Sequence, residues 1–323
     1  MPRLRLRSLA KINLDLRVLH KRPDNFHELR TVFQTVSLAD TLEIEYDSSR
    51  RTHLELDDPQ SIPDNLVLRA ARSVLNALKL HAKIRFRLSK KIPMGAGLGG
   101  GSSNAAAVLL ALPALAYRPR PPDRLLALAS ELGSDVPFFL TGGTALALGR
   151  GTELYALPDI AQEHVLLITP GVHVSTPAAY QSLALSLTSP DASRKMNSFQ
   201  LFVRTLGDLR SARAASTLSA NDFESAVFSQ HPQLKKMWSR LSEHAAGARM
   251  TGSGSALFAL FESSAKRDLA KKVLEGDKVM KACRVMPARL VSRSSYQRMW
   301  RRQLAAAGLP DDLLWPLPSR HAR

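Results

Sequence analysis

The chain has 323 residues, 45% hydrophobic and 23% charged, a composition that suits a folded protein of two domains and shows no low-complexity tract. Its 45 Lys and Arg against 28 Asp and Glu leave a formal charge of +17, but the basic residues are dispersed and only 6% of residues are aromatic, so a nucleic-acid partner is not expected. The single cysteine, Cys283, excludes an internal disulfide, and the longest apolar segment, residues 105–116, is broken by Pro113 and too short for a bilayer; a cytoplasmic protein without a membrane segment or leader is expected.

Residues 4–18 alternate, with Leu4, Leu6, Ala10, Ile12, Leu14, Leu16 and Val18 on even positions and mostly charged or polar residues on odd ones. Period two predicts a strand that sends Lys11, Asn13 and Asp15 to one side, and a solvated face is the ordinary fate of such a side. Residues 21–27 read as a turn from Pro23, Asp24 and Asn25. Strands follow over 31–37 and 41–46. Asn65 opens a helix carrying Leu66, Ala70, Val74 and Leu78 on one face. A strand over 83–88 leads into a glycine loop, and Ser102 or Ser103 is positioned to cap a helix running to about residue 112. After a Pro-rich break come a helix over 122–132, a Ser134-Asp135-Val136-Pro137 turn, glycines at 142 and 143, and a strand over 145–148. Character changes near Leu157-Pro158, so two domains are expected, 1–157 and 158–323. The second opens with a strand over 165–169 and is mostly helical from 176 to 237, with loops near Pro190 and His231. A second glycine loop, 251–255, then precedes a strand over 256–261, a helix over 265–274 and a strand over 285–291. From about residue 294 a basic helix and a Pro-rich end read as an appendage.

The most informative stretch is Pro93, Met94, Gly95, Ala96, Gly97, Leu98, Gly99, Gly100, Gly101, Ser102 and Ser103. Five glycines in the seven residues 95–101 are more than a turn needs, given the entropy each loses on folding. Backbone without Cβ atoms can approach a ligand closely, and the first N–H groups of the helix that follows have no internal partner, so a phosphate-bearing anion such as a nucleoside triphosphate fits. The match to G-x-G-x-x-G is not a dinucleotide fingerprint: about twenty residues on, where an acidic strand end is required, stand prolines and arginines around 118–122. A Walker A loop needs Gly-Lys-Ser/Thr, and here the loop reads Gly-Ser-Ser.

Residues 10–14, 93–107 and 251–255 together resemble the three ordered motifs of the galactokinase, homoserine, mevalonate and phosphomevalonate (GHMP) kinase superfamily. Residues 22–29, 31–34 and 133–139 are similar to the branch that phosphorylates 4-diphosphocytidyl-2-C-methyl-D-erythritol. The resemblance spans residue 3 to about 294. It implies an α+β, two-domain fold, ribosomal-protein-like then ferredoxin-like, with the active site in the interdomain cleft, and transfer of phosphate from ATP to the 2-hydroxyl of the methylerythritol unit. It assigns Asp135 as acid/base with Lys11 as partner, residues 93–103 and Asn65 to ATP, and Asn13, Phe26, His27, Tyr180, Gly252 and Gly254 to the substrate. Mg2+ would come with ATP, held through Ser102 or Ser103 and by no protein set alone. Homoserine- or mevalonate-type kinases, or an RNA-binding protein of related fold, are the alternatives. Read without the family, Asp135 equally suits a turn cap, Phe26 a core ring and His27 a surface position. The branch often has Gly-Tyr where this chain has Asn25-Phe26; Asn tolerates left-handed backbone, so the turn is expected to survive, while any bond from the lost hydroxyl is gone.

Overall fold

The computed structural model describes residues 3–118, 121–184, 192–245 and 247–309. The first half runs β1 (Arg3–Lys21), β2 (His27–Ser48), β3 (His53–Asp57), α1 (Leu66–Leu78), β4 (Ala82–Ser89), α2 (Gly100–Leu115), α3 (Pro122–Leu132), α4 (Phe138–Thr141), β5 (Thr144–Gly149) and β6 (Glu153–Ala156). The second runs β7 (His164–Thr169), α5 (Thr176–Ala184), α6 (Ala192–Leu209), α7 (Ala212–Ala215), α8 (Phe223–Gln230), α9 (Pro232–Ser242), β8 (Arg249–Met250), β9 (Leu257–Phe261), α10 (Ser264–Gly276), β10 (Arg284–Arg289) and α11 (Arg293–Ala305). The expected loop near Pro190 and the Pro-rich end lie outside the described residues.

β2 organises the first sheet. β1 pairs along one of its edges over nearly its whole length, while β5 takes residues 29–34 and β4 residues 41–48 of the other. The two strands expected within this stretch are therefore one, because neighbours on both edges hold its middle in register. β3 extends the sheet beyond β4, and β6 extends it beyond β5. On its outer face the strand order sets arginines of β1 and β4 against acids of β2 and β3: Arg3 meets Glu43, Arg85 meets Glu45 and Glu55, and Arg87 meets Asp57. These arginines are thus matched by acids across the strands. The second sheet is antiparallel in the order β10-β7-β9-β8.

The alternation in β1 predicts one face in water. Instead Lys11, Asn13, Asp15 and Arg17 are all buried. From Ser8 onward the first glycine loop, the Asp135 turn and the second half of the chain cover what would be the wet face and edge. β1's outer edge has no continuous strand neighbour: Lys11 N–H donates to the Leu98 carbonyl, Asn13 N–H to Thr251 Oγ1, and Leu16 N–H to the Ala220 carbonyl. Both glycine loops and the link before α8 are thereby sewn to a single strand. One apolar cluster, with Ala10, Ile12, Val32, Val165, Leu167 and Phe258, runs between the two halves.

α2 starts earlier than expected. Its N-cap is Gly99, in left-handed backbone with no side-chain bond, so Ser102 and Ser103 sit in the first turn rather than at the cap. It also continues through Pro113 to Leu115, because that last turn is buried against the first core. The C-terminal helix is no appendage. Tyr296, Trp300 and Leu304 of α11 enter the core formed by α2, β2 and β4 of the first half, since burying that apolar stripe outweighs staying with its own sequence neighbours.

Candidate active site

Local backbone chemistry shapes the first wall of the site. Gly95, Gly97 and Gly99 have φ of 63°, 76° and 69°, left-handed values that residues with a Cβ rarely adopt. Between them Ala96 and Leu98 turn their carbonyls into the protein, accepting from Ala256 N–H and Lys11 N–H. The N–H groups of the loop and of Gly100, Gly101 and Ser102 then remain for a ligand, beside the positive end of α2. The loop has little room to shift, for a Cβ on Gly97 would stand 2.2 Å from the Thr251 carbonyl oxygen.

These residues line a pocket of about 430 Å3 together with Asn65, Leu66, Leu88 and Lys90. Asn65 is also the cap of α1, its Oδ1 accepting from Val67 N–H. Leu66 and Leu88 supply apolar walls suited to a nucleobase, and sequence reasoning missed them because both are ordinary core residues in pattern. It missed Lys90 as well. The Lys90 ammonium is tied to Asp40, a fully buried carboxylate that also accepts from the N–H groups of Lys91 and Ile92 and so fixes the approach to the loop. Ser102 lines the pocket; Ser103 does not, its hydroxyl lying buried behind the wall.

A second cleft of about 580 Å3 adjoins the first and shares Gly97 with it. Lys11 stands at its floor. Its ammonium donates to Asn13 Oδ1 at 2.8 Å and lies 3.3 Å from Asp135 Oδ2. Lys11 is almost wholly buried, whereas the Asp135 side chain keeps 33% of its surface open to the cleft. Asn13 is held in turn by Nδ2 donating to Thr31 Oγ1 and by Thr251, which bonds both its N–H and its Oδ1. An ammonium fixed beside a partly open carboxylate is what a proton-accepting group next to developing negative charge requires.

The outer part of this cleft gathers Phe26, His27, Arg150, Tyr180 and Gly252. Asn25 has φ of 65°, as the turn demanded. Phe26 is half exposed, with the Arg150 guanidinium 3.6 Å from its ring centroid. Arg150 sits between Gly149 and Gly151, both left-handed; that Gly-Arg-Gly turn was the overlooked signal for a presented cation. Tyr180 arrives from α5, but its stacking partner is His27 itself, with ring centroids 4.6 Å apart and planes 22° from parallel. Burial, with Asp135 adding its charge, pushes the Tyr180 phenol up to about 12. Burial and Lys21 hold His27 below the usual imidazole value, so the ring is neutral at pH 7, and its Nε2 is buried without a partner. Gly252 lines the cleft, with Asn221 Nδ2 donating to its carbonyl. Gly254 does not, and a Cβ there would stand 2.7 Å from Met250 Sδ. No group of three or more His, Cys, Asp or Glu suited to a metal occurs among the described residues, and none of their helices is long and apolar enough to cross a membrane.

Two family models match this chain: GHMP kinases N terminal domain over residues 65–143, and GHMP kinases C terminal over 198–277. The 4-diphosphocytidyl-2-C-methyl-D-erythritol kinase of Solibacter usitatus (strain Ellin6076) is 49% identical over 321 residues, covering 98% of this chain and 97% of its own length. That of Syntrophus aciditrophicus (strain SB) is 40% identical, covering 84% and 94%. A crystal structure of 4-(cytidine 5'-diphospho)-2C-methyl-D-erythritol kinase is similar with a TM-score of 0.73 and 34% identity, over 89% of this chain and 99% of that one.

Proposed function

The chain belongs to the 4-diphosphocytidyl-2-C-methyl-D-erythritol kinases of the GHMP superfamily, and we propose that its joined pockets bring the γ-phosphoryl group of ATP to the 2-hydroxyl of that cytidylated alcohol. The observation that carries the reading is the Lys11–Asp135 pair lining the second cleft, which shares Gly97 of the phosphate-binding loop with the first. A triphosphate lies along the N–H groups of residues 97–102, its charge offset by the end of α2. The alcohol oxygen approaches Asp135, gives up its proton to the carboxylate and bonds to the γ-phosphorus as the bond to ADP breaks. Lys11 keeps Asp135 aimed and offsets charge on the transferring group.

The donor set fits a metal that arrives with the nucleotide: Ser102 offers one hydroxyl and phosphate oxygens supply the rest, as suits an ion that retains several waters. Mg2+ bound there would neutralise phosphate charge. At the far end the unpaired Nε2 of His27 addresses the cytosine edge, and Phe26 offers a ring face. Tyr180, from the second half, lines the same end of the cleft and stacks on His27. Arg150 offers N–H donors to the diphosphate. We keep a domain boundary near residue 157 as part of this reading; the matched segments 65–143 and 198–277 lie on either side of it, and α11 packs on the first core. The reaction is placed in the cytoplasm, in keeping with the lone cysteine. An ATP-consumption assay comparing the cytidylated alcohol with homoserine and mevalonate tests the reading. Turnover with the first alone is expected; faster turnover of either of the others would overturn it.

A further inference from the structure

The catalytic motifs end at residue 255, and α11 begins almost forty residues later, yet α11 reaches to within one residue of the catalytic machinery. Tyr296 Oη donates at 2.6 Å to the carbonyl of Phe139 in α4. α4 follows directly on the Asp135 turn, whose chain is closed by Val136 N–H to Gly133 and Phe139 N–H to Val136. A four-residue helix leaves its carbonyls short of donors. Gly142 N–H takes the carbonyl of Phe138, but Gly143 N–H, which would reach Phe139, donates to Thr35 Oγ1 instead. The phenol of Tyr296 fills that gap.

The ring of the same Phe139 faces the site. The position of a Cβ on Gly99 lies 2.9 Å from its Cζ and 3.1 Å from Lys11 Cγ, so ring, phosphate loop and lysine stem are packed on one point. Around the phenol there is no slack. A Cβ on Gly142 would stand 2.4 Å from the Tyr296 ring, and Arg293 at the start of α11 bonds the carbonyls of Thr144 and Leu157. Asp159 accepts from its backbone N–H.

We propose that Tyr296 is a positioning residue for phosphoryl transfer: by holding the Phe139 carbonyl it fixes α4, and α4 fixes Asp135 against Lys11 and the phosphate loop. The proposal rests on Asp135 being the proton acceptor. Tyr296→Phe deletes one hydroxyl and keeps the ring. It is expected to lower kcat about 5- to 20-fold, the scale of a displaced reacting group, while KM for ATP and for the alcohol each move less than about twofold. Combined with Asp135→Asn, it is expected to cost less than about twofold further, because the group it positions is already gone. Unchanged kcat, or the full loss repeated in the Asp135→Asn background, would overturn the proposal. A near-normal kcat in Asp135→Asn alone would instead overturn the assignment of the base, and the route with it. Phe139→Leu gives an independent check should Tyr296→Phe fold poorly. It leaves the main-chain acceptor in place but withdraws the ring from Gly99 and Lys11. A fall in kcat with KM held supports the route through α4, and full kcat contradicts it.

Discussion

The two walls of the cleft are built on different principles. The proposed nucleotide wall is main chain: left-handed glycines, a helix start and a loop anchored by Asp40, all drawn from the first half of the sequence. The proposed cytidine wall is side chain: Phe26, His27 and Arg150 from the first half meet Tyr180 and Gly252 from the second. A triphosphate asks only for charge and amides, so backbone suffices and its rigidity is set locally. A nucleobase asks for a flat face and a particular edge, so rings and an imidazole must converge from distant segments. On the proposed assignment, substrate choice belongs to the wall that needs both halves of the chain.

That division can be broken or sharpened by mutation. Asp135 serves both walls, and Asp135→Asn is expected to lower kcat by about 10²–10⁴-fold with both KM values held, measured by steady-state kinetics. Gly97→Ala forces a Cβ against the Thr251 carbonyl oxygen, 2.2 Å away, and strains a left-handed residue. It is expected to cost about 100-fold in kcat/KM for ATP, the scale of a misplaced anion site, with a smaller effect on the alcohol; equal losses for both would show that the walls are not separable. Tyr180→Ala is expected to raise KM for the cytidylated alcohol about 10-fold, the scale of a lost base–aromatic stack, and to leave KM for ATP unchanged.

The smallest effect concerns the support of the second glycine loop, where Glu224 accepts from Met250 N–H at 2.7 Å. Burial, with Asp15 adding to it, pushes this carboxyl up to about 7 against an ordinary 4.5, and the Met250 N–H and Arg249 only partly oppose that. The folded protein thus holds a proton that the unfolded chain releases. The resulting stability is complete below about pH 4.5 and lost as pH rises through about 7. Glu224→Gln cannot ionise and keeps the acceptor. Its Tm is expected to match the wild type near pH 5 and exceed it by a few degrees, about 2–4 °C, at pH 8; equal Tm values at pH 8 would contradict the account.

Legibility follows the same division. The phosphate loop stands out because its glycines are clustered in sequence, and the alternation of β1 by itself puts Lys11 and Asn13 on one side. That this side is buried is not legible, because its cover comes from Thr251 and Ala220, more than two hundred residues away. The single long β2 reads as two strands in sequence, since its continuity depends on β1, β4 and β5 pairing with different parts of it. Lys90 escapes notice because its partner Asp40 lies fifty residues upstream. α11 reads as an appendage because the core that accepts Tyr296 and Trp300 belongs to the other end of the chain.

Amide hydrogen exchange with ADP and CDP added separately tests the two-walled cleft most directly. ADP is predicted to slow exchange at residues 97–103 and leave 26–27 and 180 unchanged, and CDP to do the reverse. Protection of both sets by either ligand alone, or of neither by both, would contradict it.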